Sequence, residues 1–196
     1  MPFEKYVKIC YNIVMIANKE GIGEMTNTAK TQFELNECVT YRKNGVCRIV
    51  DITEQNFGGQ GKKSYYVLQS VYDANMKVFV PVGADIENEM MRVLTKKELH
   101  SVIEQSRKVE FDWISDCKER AAFFEEIIKK KDKAQIIWII KTVSNYKREV
   151  EEQKKKMKAN DLRYLSLAEN IIFGEFAFVL DIPRDDVMSY IDNYKK

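Results

Sequence analysis

The first half of the chain shows the short apolar and polar runs that are typical of β-strands. From Phe33 to about Val82, runs rich in Val, Ile, Tyr and Phe are separated by turn residues. Asn44 and Gly45 stand between two such runs and predict a hairpin, since both residues tolerate positive φ. The glycine-rich loop 57–63 follows. The predicted strands lie in FELNECVTY, VCRIVDI, SYYVLQSVY and MKVFVPV. About four or five short antiparallel strands must curl into a small barrel to enclose a core.

After Met91 the hydrophobic pattern changes to a helical period. Thr95 and Glu98 predict a capping box at the start of the first helix. Asp112 is predicted to cap the second helix. The apolar stripe of that helix, spaced by three and four residues, consists of Ile114, Cys117, Ala121, Phe124 and Ile128.

Three further helices are predicted from the remaining pattern. Asp132 caps KAQIIWIIKTVSNY, which is apolar nearly all round and therefore suits the buried centre of a bundle. Asn160 or Asp161 starts a long helix, and Pro183 suits the first turn of a short last one. The predicted fold class is α+β, with an N-terminal extension (1–32), a small antiparallel β-barrel (33–92) and a bundle of about five helices (93–196).

Composition narrows the range of functions. The net charge of +2, with 32% charged residues, argues against a strong non-specific nucleic-acid binder but allows a local basic face. No uncharged run is long enough to span a membrane. The four cysteines form no CxxC pair and there is one histidine, so neither a zinc site nor a disulfide framework is expected. A reduced cytosolic setting is the expectation that follows.

The N-terminal extension admits more than one origin. Residues 5–17, KYVKICYNIVMIA, have the short apolar centre of a weak signal peptide, although no small-residue cleavage site follows. Alternatively, the native start is Met25, and the preceding KEGIGE is a translated, purine-rich ribosome-binding site. Under that hypothesis, mass spectrometry of the native N-terminus finds no peptide from residues 1–24.

No catalytic constellation is evident in the sequence. The single histidine, His100, cannot build a triad and is expected on a helix surface. Cys117 lies on the apolar stripe, where an inert buried thiol is expected. The loop 57–63 lacks the GxxxxGK[ST] spacing and lies between strands, so it is expected to be a flexible hairpin loop. Glu175 falls on the inner side of the last long helix, where a carboxylate is expected to have a basic or backbone partner. We therefore expect no enzymatic activity, cofactor or metal.

Several ordered blocks of the chain carry a family resemblance. They are VTYRKNGVCRIVDI, YYVL, MKVFVPV, MMRVLTKKEL, FDWISDCKER and LAENIIFGEFAFVL. Together they cover about residues 33–182 and resemble the CarD/CdnL family of bacterial transcription regulators. The β part also resembles the polymerase-interacting domain of transcription-repair coupling factors, although this chain is too short to carry their helicase motor.

The resemblance implies that the two halves have different partners. The N-terminal Tudor-like barrel would dock on the β subunit of RNA polymerase, and the helical domain would lie on promoter DNA near the upstream edge of the bubble. Trp113 matches the tryptophan that wedges into the minor groove in this family and stabilises the open complex, a known use of apolar side chains on opened DNA. A helix start beside it would offer free N–H groups to phosphates. The candidate DNA-binding residues are Trp113, Lys118, Arg120, Lys158 and Arg163.

The chain departs from the family pattern in three places. Residues 42–44 read Arg-Lys-Asn where many relatives have a proline and histidines. Ser115 and Asp116 follow the tryptophan where some relatives have arginines, which implies a weaker grip on phosphates. Phe79 replaces an arginine that contacts polymerase in some relatives, which implies a more apolar docking surface. The candidate polymerase-binding residues are Lys77, Phe79, Pro81, Arg48 and Gln55.

Periodicity alone supports a different role for Trp113. At ~100° per residue it lies roughly 50° from the direction of the apolar stripe, which favours packing at the edge of the core. Trp138 is expected to be structural, and the basic run 154–158 is either a solvated face or a DNA-backbone contact.

Two hypotheses on the function of the protein remain. The first is a monomeric, cytoplasmic transcription factor that associates with the nucleoid through polymerase and bridges polymerase and promoter DNA. The second is a protein-interaction scaffold with a Tudor-like module and no DNA role.

Overall fold

The computed structural model describes residues 31–57, 61–84 and 89–195. These residues form two compact units that divide between Val93 and Leu94. The first unit is a β-sheet and the second is helical, so the α+β class is confirmed. Residues 1–30, which hold most of the predicted extension and its alternative start, lie outside the described residues.

The sheet unit contains five antiparallel strands in the order β4-β3-β2-β1-β5. Their bounds are β1 (Cys38–Tyr41), β2 (Val46–Gln55), β3 (Lys63–Ser70), β4 (Lys77–Pro81) and β5 (Met90–Arg92). Strands β4 and β5 stand at the two edges, and no ladder between described residues joins them. The predicted closure into a barrel is therefore not confirmed.

The predicted hairpin joins β1 to β2 through a short 3-10 turn at Arg42–Asn44. Left-handed φ angles occur at Arg42 (46°) and at Gly45 (67°), whereas Asn44, which was expected to share this role, does not adopt one. Glycine adopts such an angle without steric cost. Arg42 is an uncommon residue for this conformation, and its side chain forms an ion pair with Glu89.

One face of the sheet carries the core of this unit. The buried members are Phe33, Val39, Tyr41, Cys47, Ile49, Tyr66, Leu68, Val80 and Met90. The Tyr66 hydroxyl accepts hydrogen bonds from the N–H groups of Gln32 (2.9 Å) and Phe33 (3.3 Å). These bonds tie the segment before β1 to the middle of the sheet.

A β-bulge in β2 changes which side chains face this core. The pairing register with β3 shifts between Ile49 and Asp51. Ile49 and Ile52 therefore both contact the core although they are three positions apart, which a regular strand would not allow.

The described part of the helical unit contains five α-helices, as predicted. Their bounds are α1 (Lys96–Ser106), α2 (Cys117–Lys130), α3 (Lys133–Glu152), α4 (Ala159–Leu180) and α5 (Val187–Asn193). The capping box of Thr95 and Glu98 is confirmed, and so is the Asp132 cap, which accepts hydrogen bonds from the N–H groups of Ala134 and Gln135. None of these helices is both long enough and apolar enough to cross a membrane.

The predicted start of α2 is wrong by about one turn. The helix begins at Cys117, and its N-cap is Asp116 rather than Asp112. Trp113 and Ile114 therefore precede the helix. The angle of roughly 50° between Trp113 and the apolar stripe assumed a helical Trp113 and does not apply. The buried residues of α2 are Arg120, Phe124 and Ile127.

The start of α4 also differs from both predicted alternatives. The helix begins at Ala159, and Lys158 occupies the N-cap position without a side-chain capping bond. Asn160 and Asp161 lie inside the first turn. Asp161 is only 1% exposed, and its carboxylate forms an ion pair with Arg120 of α2.

Helices α2 and α4 run parallel. Arg120 bonds to Asp161, and one turn further along both helices the rings of Phe124 and Tyr164 pack with centroids 5.8 Å apart. Because the paired positions advance in the same direction, the N-termini of α2 and α4 lie at the same end of the helical unit.

Helix α3 supplies the centre of the bundle, as predicted. Its buried residues are Ala134, Ile136, Ile137, Ile139, Ile140, Val143 and Val150. The Lys133 ammonium forms an ion pair with Glu175 Oε2 at 2.6 Å, and Glu175 Oε1 accepts a 3.0 Å hydrogen bond from the Leu94 N–H. Glu175 therefore has the structural partners expected of an inward carboxylate. Since the start of α3 meets the last turns of α4, the two helices are antiparallel.

Candidate functional site

Trp113 is held between two helices in the segment 107–116 that connects α1 to α2. The guanidinium carbon of Arg120 lies over its indole, 4.4 Å from the ring centroid. The ring of Tyr146, on α3, is also 4.4 Å away between centroids, with the two planes inclined by 39°. The side chain is part-buried. Trp113 is thus fixed by contacts with α2 and α3 while part of its surface stays accessible.

Arg120 has a structural position that differs from its predicted role. It is 3% exposed, and its Nε and Nη2 donate to the two carboxylate oxygens of Asp161 at 2.9 and 2.7 Å. Its Nη1 donates to the carbonyl oxygens of Ile114 (2.6 Å) and Ser115 (3.2 Å). The hydrogen bonds that Arg120 donates to Asp161 raise the pKa of the guanidinium above its ordinary value, so the group stays charged. Because its donors are engaged inside the protein, Arg120 does not offer the DNA-backbone contact predicted for it.

The N-terminus of α2 is occupied by the protein's own carboxylate. Asp116 Oδ1 accepts hydrogen bonds from the N–H groups of Lys118 (2.8 Å) and Glu119 (2.9 Å). Those N–H groups are therefore not available to a phosphate, contrary to the sequence-based expectation. The Lys118 side chain itself is exposed. Asp116 thus acts as the N-cap of α2.

Lys158 and Arg163 lie in the first turns of α4 and are exposed. The guanidinium of Arg163 lies over the ring of Tyr164 at 4.5 Å. Since α2 and α4 are parallel and α3 is antiparallel to α4, these residues lie at the same end as Trp113. We call this region the Trp113 end. It consists of segment 107–116, the first turns of α2 and α4, the last turns of α3 and the loop 153–158. Its exposed basic side chains are Arg107, Lys108, Lys118, Arg148, Lys154, Lys155, Lys156, Lys158 and Arg163.

The charge at the Trp113 end is mixed rather than strongly basic. Asp112, Asp116 and Glu119 are exposed beside Lys118. Acidic groups among the basic ones reduce the attraction of this surface for a polyanion, so little affinity for free DNA is expected from it.

Phe111 is a further aromatic residue of this segment that sequence reasoning missed. Its side chain is 39% exposed and forms edge-to-face contacts with Phe123 and Trp138, with centroids 5.1 Å apart in both cases. Trp138, which was expected to be structural, is part-buried and forms one wall of this aromatic group. The spacing of Phe111 and Trp113, two positions apart before the cap, was the available signal.

The five candidate polymerase-binding residues all lie on the face of the sheet opposite its core. Directly paired residues of antiparallel strands project to the same face. One row pairs Arg48 with Gln69 and Lys77, and another pairs Val67 with Phe79. Two further rows, read from the same registers, are Thr53–Tyr65–Pro81 and Gln55–Lys63. The bulge after Ile49 is what brings Arg48 and Gln55 to a common face, since they are seven positions apart.

An exposed aromatic group occupies this outer face. Phe57 is 52% exposed and Phe79 is 44% exposed. Their rings meet edge-to-face at 5.4 Å, and Phe57 also meets Tyr65 at 5.1 Å. We call Phe57, Tyr65 and Phe79 the outer aromatic patch. Exposed aromatic groups of this kind often mark protein-binding surfaces.

The comparison with known families concerns this sheet unit. Residues 33–93 match the family model of the CarD-like/TRCF RID domain. The unit is thus similar to a family that interacts with RNA polymerase, and the match indicates a polymerase-interacting, transcription-related function. No curated protein matches the chain. The RID match covers about a third of the chain, and the helical unit lies outside it.

The outer aromatic patch therefore belongs to the RID-like unit. Phe79 was among the predicted residues, whereas Phe57 and Tyr65 were not. The register of β3 with β4 places Tyr65 on this face, and Phe57 joins it through its ring contacts with Tyr65 and Phe79. Trp113 and the basic residues of the helical unit have no counterpart in the matched segment, and their predicted roles rest on geometry and on the sequence resemblance alone.

Two residues considered for chemistry have structural surroundings of their own. His100 is part-buried rather than on an open helix surface. Its Nε2 lies 2.8 Å from the Tyr190 hydroxyl, and its ring stacks on Tyr194 at 4.4 Å. Cys117 is part-exposed at the first position of α2, so the expectation of a buried thiol there is wrong.

Proposed function

We propose that this protein is a non-enzymatic, cytoplasmic transcription regulator that acts as a monomer. Its RID-like unit binds the β subunit of RNA polymerase, and its Trp113 end lies on promoter DNA at the upstream edge of the bubble, where it prolongs the life of the open complex. The observation that carries this proposal is the match of residues 33–93 to a polymerase-interacting domain.

The outer aromatic patch is the proposed docking surface on the β subunit. Phe57 and Phe79 expose apolar area that a partner would bury, and aromatic residues dominate binding energy at such interfaces. Lys77, Arg48 and Gln55 lie around the patch on the same face and supply polar contacts at its rim. Pro81 completes the β4 side of this surface.

The Trp113 end supplies the proposed DNA contact. The accessible part of the indole would lie against an unstacked base step, which costs a few kcal/mol to open and is stabilised by an apolar side chain. Lys118, Lys158 and Arg163 would contact phosphates and position the protein without reading the sequence. Because Asp112 and Asp116 reduce the local positive charge, polymerase rather than free DNA affinity delivers this end to the promoter.

A second candidate function is a protein-interaction scaffold without a DNA role. The packing of Trp113 against Arg120 and Tyr146 favours it, since both contacts also suit a residue that closes the edge of the helical core. Under this alternative the helical unit supports the RID-like unit, and Trp113 contributes to stability only.

The lifetime of the open complex separates the two. Purified protein is added to open complexes formed by the polymerase of the same organism, and the fraction resisting a competitor is followed in time. We expect the lifetime to increase when the protein is present. An unchanged lifetime, in samples where the protein co-purifies with polymerase, would support the scaffold instead. Any DNA affinity of the isolated protein should fall with salt, with a log–log slope of about −0.9 per phosphate neutralised.

A further inference from the structure

We propose that Arg120 is the positioning residue of the Trp113 wedge, and that it joins the wedge to α4 as one rigid unit. This inference rests on the proposed function for its effect on transcription, but its structural part can be tested without polymerase. Arg120 itself does not touch DNA in this proposal.

The guanidinium makes contacts in three directions at once. Two of its nitrogens bond to Asp161 on α4, and a third bonds to the carbonyl oxygens of Ile114 and Ser115, immediately after Trp113. Its face supports the indole at 4.4 Å. The backbone next to Trp113 and its ring are therefore fixed by the same planar group.

Arginine is required for this arrangement. A planar guanidinium has donors that fit a carboxylate in a fork and still leaves its face to an aromatic ring, whereas a lysine ammonium is a compact point charge without such a face. With Arg120 at 3% and Asp161 at 1% exposure, solvent cannot replace a lost bond.

Asp161 connects the wedge to the proposed phosphate contacts. It lies in the first turn of α4, three residues after Lys158 at the N-cap and two residues before Arg163. Fixing Arg120 on Asp161 therefore fixes the distance between the indole and the basic side chains of α4. A wedge that acts on a base step and its neighbouring phosphates needs this relation to be constant.

The structural part is tested by the fluorescence of Trp113 in a Trp138→Phe background, where it is the only tryptophan. Arg120→Lys and Asp161→Asn are compared with Arg184→Lys, a matched exchange at an exposed arginine that bonds to Asn170. We expect acrylamide quenching to increase about twofold or more in the first two variants and not in the third, because the indole loses its support. Unchanged quenching in folded Arg120→Lys and Asp161→Asn would overturn the proposal.

The functional part is tested by a double-mutant cycle on open-complex lifetime. We expect Arg120→Lys to shorten the lifetime by about threefold or more in the wild-type background and to add nothing in a Trp113→Ala background, because it acts through the indole. Shortening of the same size in both backgrounds would mean that Arg120 acts through general stability, which contradicts the proposal. If Trp113→Ala itself leaves the lifetime unchanged, the proposed function fails, and the quenching result still decides the position of Arg120.

Discussion

Both carboxylates buried in the described part of the helical core are paired with basic residues. Asp161 is paired with Arg120 and Glu175 with Lys133. Removing one partner of such a pair leaves the other charge without solvent or a counter-charge. The resulting loss of stability is far larger than the stability that the intact pair contributes. At exposed pairs, water and salt replace the lost partner.

Substitution of Asp161 by alanine is therefore expected to lower the free energy of unfolding by about 3–5 kcal/mol. The control is Glu126→Ala, which removes an exposed ion pair with Lys130 and should cause no measurable change. Urea denaturation followed by circular dichroism measures both. A loss below about 1 kcal/mol for Asp161→Ala would show that the pair is not the anchor described here.

Cys47 provides a second prediction for a single residue. It is fully buried in the sheet core, and burial raises the pKa of its thiol to about 11. A raised pKa keeps the thiol neutral, and only the thiolate reacts with iodoacetamide. At about pH 8 we expect Cys47 to remain unlabelled in the native protein and to react in urea, as read by peptide mass spectrometry, while part-exposed Cys117 serves as the reactive control. Equal native labelling of both cysteines would be incompatible with a closed core.

At the scale of the element, the start of α2 decides what Trp113 can do. Asp112 and Asp116 are one turn apart and both suit an N-cap, so local sequence does not choose between them. The choice is made by tertiary structure, because starting at Cys117 places Arg120 opposite Asp161. The hydrophobic pattern does not predict this helix start, because it assigns an arginine such as Arg120 to the solvent-facing side of a helix.

The corrected helix start predicts different costs for the two aspartates. Asp116→Ala removes the acceptor for two backbone N–H groups and should destabilise the protein by about 1 kcal/mol. Asp112→Ala, at an exposed position before the helix, should change stability little. Thermal unfolding of the two variants measures the difference. A larger loss of stability for Asp112→Ala would show that Asp112, rather than Asp116, caps the helix.

The sheet shows a similar division between what local sequence predicts and what it does not. The strands and the hairpin at Asn44-Gly45 follow from short-range patterns, and the caps at Thr95 and Asp132 do so in the helical unit. The composition of the outer face does not, because one bulge after Ile49 reverses the facing of every later residue in β2. Tyr65 and Phe79 share this face through the register of β3 with β4, and Phe57 meets both rings only in the folded sheet, so local sequence does not predict their common patch.

At the scale of the whole molecule, the proposed activity is divided between the two units. In the proposed function, the RID-like unit carries the polymerase contact and the helical unit carries the DNA contact. Because the two proposed surfaces belong to different compact units, a substitution in one unit should leave the stability and folding of the other unchanged.

Phe79→Ser tests this division. Loss of an aromatic residue at the centre of an interface costs about 2 kcal/mol or more, so we expect polymerase affinity to fall about 30-fold. Leu35→Ser is the control, because Leu35 is exposed to a similar extent but lies before β1 and outside the outer aromatic patch. Trp113 fluorescence should be the same in both variants. Equal affinity of the two variants for polymerase would remove the patch from the docking surface.

In the proposed function, Trp113 reaches promoter DNA when polymerase is bound. A photoreactive phenylalanine analogue at position 113, in complexes of polymerase, promoter and this protein, tests this contact, with the same analogue at position 138 as the control. We expect cross-links from position 113 to bases at the upstream edge of the bubble, dependent on polymerase and absent from position 138. Complexes that contain the protein but show no DNA cross-link from position 113 would contradict the proposed contact.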